Sequence, residues 1–391
     1  MFPHRPLSVD IGLLSLEADE SEMVVCYTTS TTTNEETAEG NIDGTEENDK
    51  PEQDEQCVDI VDLCKNGIVD MTMSSDRNQM DVIGGKHVKS IMTKYLDAFG
   101  DENNSDNSIG EVTKPLLKLK NKRKMEEYYY KHLVRYKPKN DIERNVLNIY
   151  KYVVEQHVFR SFMFRQSYIN SCSEQSLNIK YRSYLFASFF GRNKDVFLQW
   201  GETKAVDCTR AALDFKLDLR IIVNIEQEKH EVATAELAKP RSTIESKLFN
   251  DKLKLVLVTK CHLNSVLKTM PYIPKSKVKD VKVPIVQIIG LTCHVQALSL
   301  TDKGVYLLQD VYSVDYPQTH AQVEAKGLQK VIESFSIIDD LIIDITEYHR
   351  DYNVDQSSKM DSLIKGKKKN NVNIEDWVSE VVCDDDMAHD N

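Results

Sequence analysis

No two cysteines in this chain form a CxxC pair, and none of the eight joins a histidine at zinc-finger spacing, so a zinc ribbon or finger is excluded as the organising element. They are scattered (Cys26, Cys57, Cys64, Cys172, Cys208, Cys261, Cys293, Cys383) and read as reduced thiols. The first residues lack a basic stretch leading into a long apolar run, which argues against a secretory signal. A membrane-spanning run is also missing, because lysines interrupt the most apolar helical segment. Nor is there an excess of positive charge. Acids outnumber lysine and arginine 62 to 50, and a net charge of -12 excludes a protein that coats nucleic acid with its whole surface. These absences lead to the expectation of an intracellular, reduced protein with no membrane partner.

What is present is unevenly distributed. Hydrophobic residues make up 41% of the 391 and charged ones 29%, which suits a globular core diluted by polar extensions. Residues 1–80 are expected to be disordered. Their acidic, low-complexity stretch has almost nothing to bury against the entropy of ordering. Two apolar islands flank it, Ile11 to Leu16 and Val58 to Met71, and a plain tail is preferred over segments that fold on a protein partner. Residues 85–140 read as a helical, basic and aromatic segment. It begins with an amphipathic helix from Gly85 to Phe99, on Val88, Ile91, Tyr95 and Phe99. Lys120, Lys122, Arg123 and Lys124 follow, with Tyr128, Tyr129, Tyr130 and Tyr136 interleaved. Such a cluster meets phosphates while tyrosines stack on bases, or serves as a nuclear import signal, or is a solvated helix with its aromatics packed inward. The sequence leaves all three open. Residues 351–391 read as a second disordered tail, carrying the run Lys365, Gly366, Lys367, Lys368, Lys369, a further candidate import signal. Both acidic tails are candidate contacts for protein partners.

Residues 141–350 carry the periodicity of a folded core. A helix starting at Asp141 is followed by a buried helical run from Asn178 to Phe190 and a short strand from Val196 to Trp200. From Asp214 to Val223 the chain alternates strictly, Phe215, Leu217, Leu219, Ile221 and Val223 against Asp214, Lys216, Asp218 and Arg220, which predicts a half-buried strand. A polar connection (Asn224 to Lys229) leads to a second strand, His230 to Lys239, stopped by Pro240. Ser242 to Glu245 reads as a capping box opening a helix. A buried strand follows from Val283 to Leu291, then a hairpin turning at Asp302, Lys303 and Gly304, and a last amphipathic helix through Leu328 and Ile345. Acids on two neighbouring strands with a lysine nearby suit a cradle for a divalent cation and an attacking water. Equally, an alternating strand simply shows its polar side to solvent.

The predicted fold is α/β (α+β), a mixed central sheet flanked by helices. From about Ser183 to Ile345 the chain resembles an uncharacterised family of early-diverging fungal proteins. The likeness is carried by Leu198-Gln199-Trp200-Gly201-Glu202-Thr203, Asp218-Leu219-Arg220-Ile221-Ile222, Ala235-Glu236-Leu237-Ala238-Lys239 and Val305-Tyr306-Leu307-Leu308. Their order and content are in turn similar to the PD-(D/E)XK, or restriction-endonuclease-like, superfamily. That resemblance implies Asp218 and Glu236 as ligands of Mg²⁺ and Lys239 as the third catalytic group, acting on DNA or RNA. The lysine is out of place. Two residues after Glu236 stands Ala238, and Lys239 faces away from the acids unless a bulge turns it back. Lys216 and Glu202 are the alternative lysine and an auxiliary acid. Ala238 ranks a nucleic-acid-associated protein with a degenerate, non-catalytic core above an active Mg²⁺-dependent nuclease. A purely structural or interaction protein is the third reading.

Overall fold

The computed structural model describes residues 62–72, 79, 108–211, 213–239, 245–354 and 372–383. The principal helices are α1 (Ser108–Leu117), α2 (Lys122–Tyr128), α3 (Asp141–Phe159), α4 (Ser183–Phe190), α5 (Val206–Arg210), α6 (Glu245–Lys268), α7 (Gly327–Tyr352) and α8 (Ile374–Trp377). The strands are β1 (Ile68–Asp70), β2 (Val196–Lys204), β3 (Lys216–Ile225), β4 (Glu228–Ala238), β5 (Lys282–Ile289), β6 (Thr292–Asp302) and β7 (Val305–Asp315). They form one seven-stranded sheet in the order β1-β7-β6-β5-β4-β3-β2. Neighbours are antiparallel except β1 with β7 and β4 with β5. The molecule is thus α/β, a mixed sheet flanked by helices.

Alternation decides which helices cover which face. Leu219 pairs with Trp200 on β2, so the two side chains share a face. The Trp200 indole meets the Phe186 ring of α4 edge-on at 5.9 Å, and Phe186 packs on Phe335 of α7 at 4.8 Å. This face therefore lies under α4 and α7. The other face lies under α6, where the Thr234 and Thr259 hydroxyls meet at 3.2 Å. Between parallel β4 and β5 the chain must cross over, and α6 is that crossover. The β3–β4 hairpin turns through Glu226 and Gln227, both at positive φ (51° and 74°), a two-residue turn of the kind that matches strand twist.

The expected boundaries shift in two places. Within the segment read as a disordered tail, residues 62–65 are helical and β1 is buried at the sheet edge beside β7. Its Asp70 accepts from the Lys252 ammonium of α6 at 2.6 Å. Residues 372–383, read as part of the second tail, lie on the core, with Ile374 buried. Both corrections have one cause. Short apolar segments gain nothing alone and order only where a prebuilt surface accepts them. The amphipathic helix expected from Gly85 to Phe99, the capping box at Ser242 and the lysine run at Lys365 lie outside the described residues.

The basic, aromatic segment is broken into α1, α2 and a π-helical turn, Tyr129–Leu133. Its tyrosines mostly serve the core. Tyr129 is buried edge-on against Phe159, and Tyr136 donates to Glu143 at 2.7 Å. Tyr130 alone of the four is exposed.

Candidate active site

Leu219 of β3 pairs with Ala235 of β4, which sets Asp218 across from Glu236 on the same face of the hairpin. Asp218 is held in place by a bond to its neighbour strand, its Oδ2 accepting from the Leu237 N–H at 2.9 Å. Glu236 is 6% exposed, roofed by α6. The Lys254 ammonium of that helix reaches Glu236 Oε1 at 2.7 Å. The ammonium lies within hydrogen-bond distance of this buried oxygen and is its charge partner. Burial pushes the Glu236 carboxyl up to about 8, against the pull of Lys254 and with the charges of Asp218 and Asp251 adding to the rise. Gln287 stands beside it on β5. Burial thus favours the protonated carboxyl at Glu236 near neutral pH.

The other expected site residues are placed as follows. The β4 ladder runs without a bulge from Thr234 to Ala238, so nothing turns Lys239 toward the acids. The lysine that meets Glu236 is Lys254 of α6. Gly201 and Glu202 together occupy the bulge opposite Asp218, since Trp200 pairs with Leu219 and Thr203 with Leu217. Glu202 is exposed there. Lys216 begins β3 and pairs with Lys204. Lys120, Lys122, Arg123 and Lys124 are exposed on and just before α2, which packs on α1 and α3 rather than on the sheet. Two of them already have carboxylate neighbours, Lys122 with Glu126 at 4.0 Å and Arg123 with Glu127 at 3.2 Å.

Lys254 is the residue that sequence reasoning missed. Its signal was a lysine set among Leu253, Leu255 and Val256 in the most deeply buried helix of the core. A cation there needs a buried acid as partner.

Further along the same face, a second polar network locks the site's framework. Arg220 Nη1 donates to Glu231 Oε1 at 2.5 Å and its Nε to Thr203 Oγ1 at 3.0 Å. His262 of α6 lies between Glu231 (3.2 Å) and Asp207 (3.3 Å), and Ser265 donates to Asp207 at 3.0 Å. Burial pushes Asp207 up, but His262 and Ser265 outweigh it and hold the carboxyl below its ordinary range. This network joins β2, β3, β4, α5 and α6, and so fixes the height of Lys254 over Glu236.

Among the described residues, no group of three or more His, Cys, Asp and Glu side chains is arranged to hold a metal ion. Likewise, no described helix is long and apolar enough to cross a membrane. Comparison of the chain with protein-family models, curated proteins and solved structures gives no match in any of the three.

Proposed function

We propose that the core hydrolyses phosphodiester bonds in nucleic acid with the help of a divalent cation. The observation that carries this reading is the triplet of Asp218, Glu236 and Lys254, two opposed carboxylates with an ammonium 2.7 Å from one of them. The order of elements supports it. A helix (α4), a three-strand antiparallel meander (β2, β3, β4), a crossover helix (α6) and a strand parallel to the third (β5) follow the pattern implied by the resemblance to PD-(D/E)XK enzymes. The residues fit a magnesium ion as a two-carboxylate site. Mg²⁺ commonly takes one or two protein carboxylates and fills its remaining positions with water and phosphate. Glu236 is buried and its Oε1 already meets the Lys254 ammonium at 2.7 Å, so a bound ion would share this carboxylate with the lysine.

Asp218 and Glu236 would hold Mg²⁺, which when bound acidifies water and neutralises phosphate charge. The chain's own groups do the rest. The Leu237 N–H keeps Asp218 oriented. Glu236 would hold the ion as a carboxylate, and the ion's charge would offset the burial and like charge that raise its pKa. Lys254 would supply a fixed positive charge beside the phosphate oxygens.

The competing reading, a non-catalytic nucleic-acid-binding core, draws on the depth of Glu236 and on there being, among the described residues, no group of three or more metal-ligating side chains. Incubation with duplex DNA, single-stranded DNA and RNA in Mg²⁺ separates the two. The active reading expects cleavage that falls at least about 100-fold in Asp218→Asn. Salt-sensitive binding with no cleavage by the wild type would establish the second, and cleavage surviving in Asp218→Asn would reject the site.

A further inference from the structure

Between the C-terminal half of α3, the segment that follows it and the π-helical turn Asn178–Arg182 lies an open cleft of about 460 Å³, lined in part by Tyr152, Arg160, Phe162, Tyr168, Ile179 and Lys180. That volume falls within the range of about 300–1,000 Å³ found for small-molecule sites. Its walls are aromatic and its charge is of one sign. Phe162 and Ile179 are exposed (46% and 59%), an unusual outlay of apolar surface unless something covers it. Tyr168 meets Phe162 edge-on at 5.3 Å, and Tyr152 is stacked on Tyr184 at 4.3 Å. Arg160 and Lys180 are the charged residues of the lining, and no acid is among them. Glu155 lies 3.5 Å from Arg160 and is its acidic neighbour outside the lining.

The cleft is built rather than accidental. The Tyr152 hydroxyl and the Gln156 amide both donate to the Lys180 carbonyl at 2.8 Å, clamping the π-helical turn Asn178–Arg182 to α3. The fully buried Arg182 guanidinium closes that turn onto the Leu291 carbonyl, in the β5–β6 connection. Gly290, one residue earlier, donates to the Ala238 carbonyl at 2.7 Å, two residues beyond Glu236. The floor of the cleft is therefore tied to the sheet end that carries Glu236.

We infer that this cleft takes an unpaired base of single-stranded nucleic acid, stacked on one of the two perpendicular rings Phe162 and Tyr168 and edged by the other, with the adjoining phosphate held by Arg160 and Lys180. Stacking suits any base, because every base has a π-face, while the cations follow the backbone. A paired base in a duplex presents no free face to the wall. The inference rests on the nucleic-acid reading of the core but not on its catalysis, so the substrate class becomes strands with unpaired nucleotides, such as flaps, tails or loops.

Fluorescence anisotropy in EDTA tests it without hydrolysis. Labelled single strands and blunt duplexes of about 12 nucleotides are titrated with the full chain. The single strand is expected to bind more tightly, and Phe162→Ala and Tyr168→Ala each to weaken it about tenfold. Arg160→Ala should reduce the slope of log affinity against log salt by about 0.7. Phe162 is exposed, so its truncation leaves the core intact, and circular dichroism checks both variants. Unchanged single-strand affinity in folded Phe162→Ala overturns the inference, as does equal or tighter duplex binding. Displacement of the oligonucleotide by an equimolar acidic peptide overturns it in favour of a protein ligand. Cleavage in Mg²⁺ alongside unaltered binding by the aromatic variants would leave the proposed function standing and remove the cleft. Loss of binding in those variants with no cleavage by the wild type would do the reverse.

Discussion

Glu236 is a carboxyl that ordinarily titrates at 4.5 and here is held up to about 8 by burial first, with Lys254 opposing. Between those two values the folded protein keeps a proton that the unfolded chain has already lost. Stability in EDTA must therefore fall as pH rises from about 4.5 to about 8, by on the order of 2–4 kcal/mol in all. Across that window the melting temperature of the wild type should fall relative to that of Glu236→Gln, the buried histidines titrating alike in both. A second test concerns which lysine matters. Lys254→Met should reduce Mg²⁺-dependent cleavage about 100-fold, whereas Lys239→Met should change it less than about threefold. A large loss in Lys239→Met would return the role to the position the resemblance implies. The acids were legible in the sequence, because alternation in β3 put Asp218 on the polar side and the likeness pointed to Glu236. The lysine was not, since its approach depends on the height at which a crossover helix sits above the sheet.

At the scale of elements, β3 was the most readable piece. Leu217, Leu219, Ile221 and Val223 are all buried, as their spacing required, although the strand runs Lys216–Ile225 rather than from Asp214 to Val223. β4 was harder, because it is buried on both faces over most of its length and its alternation is hidden. The hairpin between them was read as a long polar connection, yet it is a two-residue turn at Glu226 and Gln227. Two residues with side chains at positive φ give no turn signal, since that conformation favours glycine or asparagine. Gln227→Gly should relieve the strain and stabilise the fold by about 1 kcal/mol, read as a rise in chemical-denaturation midpoint with an unchanged slope.

Across the whole molecule, two segments distant in sequence complete the far edge of the sheet. Asn66 joins them. Its side chain donates to the Val382 carbonyl at 2.7 Å and accepts from the Val382 N–H at 2.9 Å. The buried Lys260 ammonium donates to the carbonyls of Asn66 (2.8 Å) and Glu380 (2.9 Å) and lies 4.8 Å from the Tyr306 ring. Burial lowers this lysine to about 8, a cost met only by the acceptors that the two segments bring. Asn66→Ala should cost about 2–3 kcal/mol and open residues 372–383 to proteases well before the core, as followed by limited proteolysis and mass spectrometry. Equal resistance of the variant and wild type would show that these contacts do not hold the segment.

Local periodicity by itself determined the existence and kind of the core elements, from the alternating β3 to the amphipathic α7, because a half-buried strand or helix writes its environment into every second or every third to fourth residue. It also placed the two acids on adjacent strands. Only the tertiary structure decided that Lys254 faces Glu236, that residues 62–72 and 372–383 belong to the folded body, and that a cleft lined by rings opens beside α3. Each of these depends on contacts between segments far apart in sequence, and no short-range pattern records where such segments meet.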